Sequence, residues 1–196
     1  MAELNVKIIT GPTAYPVTLA EMKSHLNLVV AETEFDDDIN AFIESAVDES
    51  QGFTGLFFMN QTGQIYADEF SLIFNFYGIA PIHTLTSIEY KDVNGQWQTL
   101  AATEYFVDLI SGIPRVKIMG IWPDLIDDDF NRVRFNVGLG LNSGDVAAQQ
   151  SAVPGRIKQA IKLRVARHFQ TREDKMTKAE MIHAADQLLF PFKTFV

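Results

Sequence analysis

Three consecutive aspartates, Asp127, Asp128 and Asp129, have the residue type that a hard cation prefers, because such ions take carboxylate oxygens. Adjacent side chains rarely point toward one ion, and no oxygen ligands occur around the run at a suitable spacing. The alternative is a solvated acidic loop. We therefore predict no metal site in this segment.

The histidines could act as metal ligands or proton carriers, but none has a partner at a spacing typical of either function. They are His25, His83, His168 and His183. Each is predicted to be structural. The chain has no cysteine, which excludes a disulfide framework, a thiolate metal site and a cysteine nucleophile.

Phosphate-binding and hydrolase motifs are missing from the sequence. It has no GxxxxGK[ST], and the glycines at positions 138, 140 and 144 do not follow GxGxxG. It also lacks the GxSxG elbow that exposes a serine nucleophile. We predict no catalytic residue and no cofactor, although a convergent triad would leave no sequence pattern, so an enzyme remains an alternative.

Basic residues are concentrated near the C-terminus, where half of the sixteen Lys and Arg side chains lie between Arg156 and Lys178. Five of them could contact the phosphates of a nucleic acid. These five are Arg156, Lys158, Lys162, Arg164 and Arg167. They do not share one helix face, and no aromatic residues interleave with them. In the alternative that we prefer, they pair with acids such as Asp36–Asp38, Glu44 or Glu49.

The net charge of −9 argues against a general nucleic-acid binder. Residues 1–52 hold ten acids against only Lys7 and Lys23, so the two ends of the chain carry opposite charge. Such ends can face each other within one chain or between copies, or stay solvated separately. No apolar run approaches the roughly 20 residues that cross a bilayer, and no signal-peptide pattern opens the chain, so we expect no membrane association.

The N-terminal part is predicted to be helical. Thr18 and Glu21 form a capping box that opens a short first helix. The acidic run at residues 36–38 suits the N-terminus of a second helix, which should end at about Gly52 or Gly55.

The middle of the chain changes to the period of a strand from Gln64 onward. A tight hairpin is predicted at Asn94-Gly95, because both residues tolerate positive φ. A second turn is predicted at residues 111–114, and a last strand with one apolar and one polar face at residues 132–137.

The C-terminal part returns to helix. Residues 141–152 have the composition of a flexible link, and Val153-Pro154 is suited to starting a third helix. A capping box at Thr177 opens a fourth. The sequence thus predicts an α+β fold, with a helical body formed by residues 1–62 and 141–196 and a β-rich insertion formed by residues 63–140.

The order of these segments resembles the head-to-tail connector (adaptor) family of long-tailed phages and prophages. The resemblance covers nearly the whole chain and departs most from residue 175 onward. Its first half is carried by residues 15–28 (YPVTLAEMKSHLNL), 35–39 (FDDDI), 52–55 (GFTG), 60–62 (NQT), 85–92 (LTSIEYKD) and 95–100 (GQWQTL). Its second half is carried by residues 105–108 (YFVD), 122–123 (WP), 137–140 (VGLG), 153–154 (VP), 157–161 (IKQAI) and 167–173 (RHFQTRE).

This resemblance implies a non-enzymatic virion protein at the head–tail junction, assembled in the host cytoplasm. Such a protein forms a ring, usually of twelve copies, that lies under the portal protein, meets the tail or a tail-completion protein, and lets genomic DNA pass without specific binding. The alternatives are a tail-completion protein and a DNA-packaging accessory that binds DNA through the basic helix.

In a ring, acidic helices of one subunit could pack beside basic helices of the next. The predicted subunit interface comprises Asp36, Asp37, Asp38, Arg156, Lys162, Arg164 and Arg167. The apolar C-terminal segment offers Phe190, Phe192 and Phe195 as contacts to the portal or tail, or alternatively docks on the core of its own chain.

Overall fold

A computed structural model describes residues 4–79, 81–110, 113–127, 129–171 and 179–194. The fold is α+β, as predicted. The α-helices are α1 (Leu19–His25), α2 (Asp36–Thr54), α3 (Val146–Ala152), α4 (Gly155–Thr171) and α5 (Ala179–Leu189). The strands are β1 (Asn5–Thr10), β2 (Gln61–Ala67), β3 (Ile73–Asn75), β4 (Ile82–Lys91), β5 (Trp97–Thr99), β6 (Tyr105–Asp108), β7 (Arg115–Ile118) and β8 (Val133–Leu139).

The chain divides into a helical unit and a sheet unit. The helical unit contains Thr13–Met59 and the described residues from Gly144 onward, and the sheet unit contains Asn60–Ser143 with the residues up to Pro12. The predicted bounds had placed the first residues with the helices. They group with the sheet instead, because β1 pairs antiparallel with β2.

The N-terminal helices form as the sequence predicts. Thr18 and Glu21 make the reciprocal capping box of α1, with Glu21 N–H donating to the Thr18 hydroxyl at 3.2 Å. Helix α2 begins at Asp36 and ends at Thr54, where Gly55 adopts a left-handed φ of 73°. Three acids in its first turn complement the positive end of the helix dipole.

The link predicted for residues 141–152 is wrong in its second half, which forms α3. Asp145 caps this helix by accepting a hydrogen bond from the Ala148 N–H at 2.8 Å. Alanine and glutamine are good helix formers once such a cap is present. Helix α4 follows, and Ile157, Ile161 and Val165 lie fully buried along it, as the apolar row predicts.

Two antiparallel sheets build the sheet unit, with strand orders β1-β2-β8-β4-β5 and β3-β7-β6. Their buried faces meet through aromatic rings, with Phe135 of β8 lying 4.7 Å from Phe74 and 5.2 Å from Phe76 between ring centroids. The predicted last strand occupies the centre of the larger sheet and continues through Gly138 to Leu139.

The hairpin predicted at Asn94-Gly95 joins β4 and β5, but its turn differs from the expected one. Only Gly95 has a positive φ, of 74°, so Asn94 does not use its tolerance for that conformation. The Asp92 carboxylate accepts hydrogen bonds from the N–H groups of Asn94 and Gln96, both at 2.9 Å. The loop is therefore longer than two residues and is closed by an aspartate at its start.

Candidate assembly interface

A cluster of charged side chains joins three helices of the helical unit around Glu49 of α2. The Glu49 carboxylate accepts hydrogen bonds from Arg164 at 2.7 Å and from Arg167 at 2.8 Å, and it lies 3.0 Å from His168 Nε2. Arg164 also donates to Asp186 of α5 at 2.6 Å. Because the Arg164 side chain is only 7% exposed, these pairs hold the interior of the unit together.

The electrostatics of this cluster favour ionised Glu49. Burial alone raises the pKa of Glu49, but the charges and hydrogen bonds of Arg167, Arg164 and His168 outweigh it. The pKa of Glu49 therefore lies below its ordinary value of 4.5. The Phe42 ring stacks on the His168 ring, with 5.8 Å between the ring centroids.

A second buried cation, Lys23, fixes the start of α2. Its ammonium pairs with Asp36 and donates to the backbone carbonyls of Val30, at 3.0 Å, and Glu32. The side chain is 4% exposed, so it ties the connection between α1 and α2 to the first turn of α2. Asp36 thus has a role inside its own subunit.

The residues predicted for a subunit interface consequently fall into two groups. Asp36, Arg164 and Arg167 make ion pairs within the chain. For these residues, attraction between oppositely charged segments acts inside one chain and not between copies. Asp37, Asp38 and Arg156 are exposed and Lys162 is half-buried, so these four stay predicted interface residues.

The C-terminal segment lies partly on its own unit. A 3₁₀ turn spans Phe190–Phe192, and the Thr194 N–H and hydroxyl both donate to the Thr54 carbonyl at the end of α2, each at 2.8 Å. This favours docking on the chain itself at that point. The Phe190 side chain is 59% exposed and that of Phe192 is half-buried, whereas Phe195 lies outside the described residues.

The larger sheet carries a polar network on its outer face. Asn136 of β8 bonds to Gln64 of β2 at 2.8 Å, and to Ser87 and Glu89 of β4 at 2.8 and 2.9 Å. Arg134 donates to Glu89 at 2.5 Å and lies 4.0 Å from the centre of the Trp97 ring. The polar side chains of three strands thus satisfy one another's hydrogen-bonding groups, which makes this face rigid.

The N-terminal edge of this sheet is the feature that sequence reasoning missed. All six residues of β1 are exposed, and β1 has β2 as its single neighbour among the described strands. Val6 and Ile8 lie opposite Ile65 and Gly63, so they extend the buried face of the sheet, yet they remain 38% and 39% exposed. The alternation in Asn5-Val-Lys-Ile8 is the signal that could have revealed this strand.

Sites of other kinds find little support in the described residues. Asp129 of the acidic run pairs with Lys91 at 2.6 Å, and Asp128 lies outside the described residues. No group of three potential ligands among the described histidines, aspartates and glutamates is placed to hold a metal ion. No helix in the described ranges has the length and apolar character needed to span a bilayer.

The fold is shared with chains of gene transfer agent particles. A chain in the virion of a native gene transfer agent (GTA) particle matches with a TM-score of 0.77 and 20% identity, over 97% of this chain and 96% of that one. A chain in the neck of an empty GTA particle, computed with C6 symmetry, matches with a TM-score of 0.76 and 21% identity, over 98% and 96%.

A further match is a chain in the neck of a native GTA particle computed with C12 symmetry, with a TM-score of 0.74 and 19% identity over 98% and 96% of the two chains. No protein-family model matches the sequence. No curated protein sequence matches it either.

Proposed function

We propose that this protein is a non-enzymatic structural subunit of the head–tail neck of a phage-like particle. The observation that carries the proposal is the likeness of fold to chains of GTA necks, which extends over nearly the whole length of both chains. The segment order that resembles the head-to-tail connector family supports the same function independently of the fold, because that resemblance rests on the amino-acid sequence alone.

Within the neck, the subunit acts as a connector: it forms a ring under the portal protein, joins the capsid to the tail and continues the DNA channel. Twelve copies are proposed, in keeping with the connector resemblance and with the C12 symmetry used for one matching neck. Asp37, Asp38, Arg156 and Lys162 are proposed contacts between neighbouring subunits, and Phe190, Phe192 and Phe195 are proposed contacts to the portal or tail.

The charge arrangement supports a connector over a DNA-packaging accessory. Arg164 and Arg167, two of the basic residues that would contact phosphates, are engaged by Glu49 in the same chain. A chain with a net charge of −9 also lets DNA pass without adhering, since phosphate binding depends on cationic contacts.

The experiment that tests the proposal is light scattering of the purified protein over a range of concentrations, with and without the matching portal protein. Twelve copies of a 22.0 kDa chain give a ring of about 264 kDa, either free or as an addition of that mass to the portal. A protein that stays monomeric and does not bind the portal at any concentration would refute the connector function.

The charged contact between subunits is tested at Arg156 and Lys162 and not at the buried Arg164, because reversal of Arg164 would unfold the helical unit rather than separate its copies. Arg156→Glu combined with Lys162→Glu should shift the ring toward monomer while leaving the melting temperature of the monomer nearly unchanged. Full rings from this double variant would remove these residues from the interface.

A further inference from the structure

The larger sheet ends in two edges that have no described strand beside them. One is β1, with six residues. The other is the first part of β4: β5 pairs only with Glu89–Lys91, so residues 82–87 have β8 as their only strand neighbour in the described part of the chain. The two edges are therefore similar in length.

Exposed edges of this kind are association sites, because their backbone N–H and C=O groups are positioned to pair with a further strand. Natural sheets protect such edges with charges, prolines or very short strands. Here β1 contains no proline and only one charged residue, Lys7, and residues 82–87 carry no charged carboxylate or ammonium group. Protection against pairing is therefore limited to Lys7 on β1 and to register shifts, one between Ile8 and Thr10 of β1 and two within residues 82–87 of β4.

The side chains of β1 also leave part of the core uncovered. Val6 and Ile8 lie on the face that continues the core, yet each keeps more than a third of its surface exposed. A strand added beyond β1 would cover both side chains while its backbone completed the ladder. On β4, the side chains of Thr84 and Thr86 are exposed.

We infer that β1 of one subunit pairs with residues 82–87 of β4 in the next subunit, so that the larger sheets join into one continuous sheet around the ring. The inference rests on the proposed ring and names the contact that closes it. A second copy is the occupant because each chain supplies both edges, and a head-to-tail ring leaves neither of them unpaired.

The absence of cysteine allows a direct test by disulfide cross-linking. A cysteine at Asn5 or Lys7 of β1 is combined with one at Thr84 or Thr86 of β4, which gives four double variants that sample the register. Within one chain β1 and β4 are separated by β2 and β8, or about 14 Å, so no disulfide can form inside a subunit.

After mild oxidation, at least one double variant should give covalent oligomers well beyond the dimer on a denaturing gel without reductant. Each single-cysteine variant can give at most a dimer. The matched control combines Lys7→Cys with Val93→Cys, which places the second thiol at an equally accessible site, a 61% exposed residue at the tip of the β4–β5 hairpin. This control should give no long ladder.

A second variant tests the contact without cross-linking. Ile8→Lys puts a charge on the rim of β1 and should reduce the ring-sized fraction at least tenfold at fixed concentration. Val93→Lys makes the same kind of change away from both edges and should leave that fraction unchanged.

The outcomes separate the inference from the function on which it rests. Intact rings by light scattering with no ladder from any double variant would overturn the sheet-edge contact and leave the connector function standing. A protein that stays monomeric even with the portal would overturn both. Rings that cross-link through β1 and β4 and weaken with Ile8→Lys would support the contact.

Discussion

Glu49 shows how one carboxylate organises several basic residues. Arg164, Arg167 and His168 stand at helical spacing on α4, and all three converge on it. Sequence reasoning named Glu49 among several acids that could pair with this basic stretch, but composition gives no means of choosing among them. The choice depends on how α2 and α4 pack, which is fixed by apolar residues such as Ile43 and Ile161.

Replacement of Glu49 by glutamine tests this cluster. The Glu49→Gln variant removes the negative charge that Arg164, Arg167 and His168 share, while Arg164 keeps its pair with Asp186. It should lower the free energy of unfolding by about 1–2 kcal/mol, since Glu49 is one-third exposed and the full cost of a buried pair does not apply. Urea denaturation measures the change. The control, Glu34→Gln, makes the same replacement at an exposed site and should shift the midpoint little; equal shifts would contradict the role of Glu49.

The acid sensitivity of the fold should depend on the same residue. The pKa of Glu49 is lower in the folded chain than its ordinary value of 4.5, so its contribution to stability is complete above that pH and is lost as the pH falls through the folded-state pKa. The difference in unfolding free energy between the wild type and Glu49→Gln should therefore shrink on acidification. A difference that stays constant across the acidic range would refute this assignment.

Gly138 is required by a side chain on the neighbouring strand. A Cβ at this position would lie 2.3 Å from Cε1 of His83, whose ring is fixed by Asn60 Oδ1 and the Thr84 hydroxyl, each at 2.9 Å. Burial lowers the pKa of His83, which keeps the ring neutral near physiological pH. The sequence does not reveal this contact, because the two residues are far apart in the chain.

Gly138→Ala should therefore destabilise the protein by about 1–3 kcal/mol through overpacking. Addition of His83→Ala should recover part of the loss, because it removes the ring that the new methyl group meets. Gly120→Ala is the control, since a Cβ there meets nothing within 4 Å. Thermal melting of the wild type, Gly138→Ala, Gly138→Ala with His83→Ala, and Gly120→Ala measures the effect. Failure of His83→Ala to recover stability would show that the strain lies elsewhere.

At the scale of elements, local sequence signals predicted those helix starts and ends that depend on neighbouring residues. The capping box of α1, the acidic start of α2 and its end at Gly55 each depend on residues within a few positions of one another. The partner of strand β1 among the described strands, β2, lies more than fifty residues later, so only the short alternation in residues 5–8 marks β1 locally. Helix α3 was missed because one capping residue, Asp145, outweighs a composition typical of a link.

Two glycines at the end of α2 provide an internal comparison. Gly55 is left-handed, with a φ of 73°, and its N–H donates to the Gln51 carbonyl at 2.8 Å, so Gly55→Ala should cost about 1 kcal/mol. Gly52 lies inside the helix with open space around it, so Gly52→Ala should stabilise by about 0.5–1 kcal/mol. Circular dichroism melts measure both, and equal effects would contradict the capping role of Gly55.

At the scale of the whole molecule, the sequence predicts the α+β class but not the arrangement of strands. The last strand, β8, lies between β2 and β4, so residues from three distant segments form the centre of the larger sheet. Periodicity identifies strands and their buried faces, but it carries no information about which strand lies beside which. The positions of both sheet edges follow from that order, so they could be seen only in the structure.

Duplex DNA should bind the assembled protein weakly or not at all at physiological salt. The chain has a net charge of −9, and Arg164 and Arg167 are neutralised within the subunit. Fluorescence anisotropy of labelled duplex DNA, measured from low to high salt, tests this expectation. DNA binding that is present at physiological salt and falls steeply as the salt concentration rises would instead favour a DNA-packaging accessory.

Contact between two unlike sheet edges fixes the direction in which subunits follow one another, but it does not by itself fix how many subunits the ring contains. Each added subunit presents the same unpaired edge as the last, and growth stops only when the tilt between neighbours brings the final copy back to the first. A small change in that tilt would keep every backbone hydrogen bond and yet turn a closed ring into an open helical filament. For β1 and β4, the number of subunits in the neck would therefore be set by the angle of the joint.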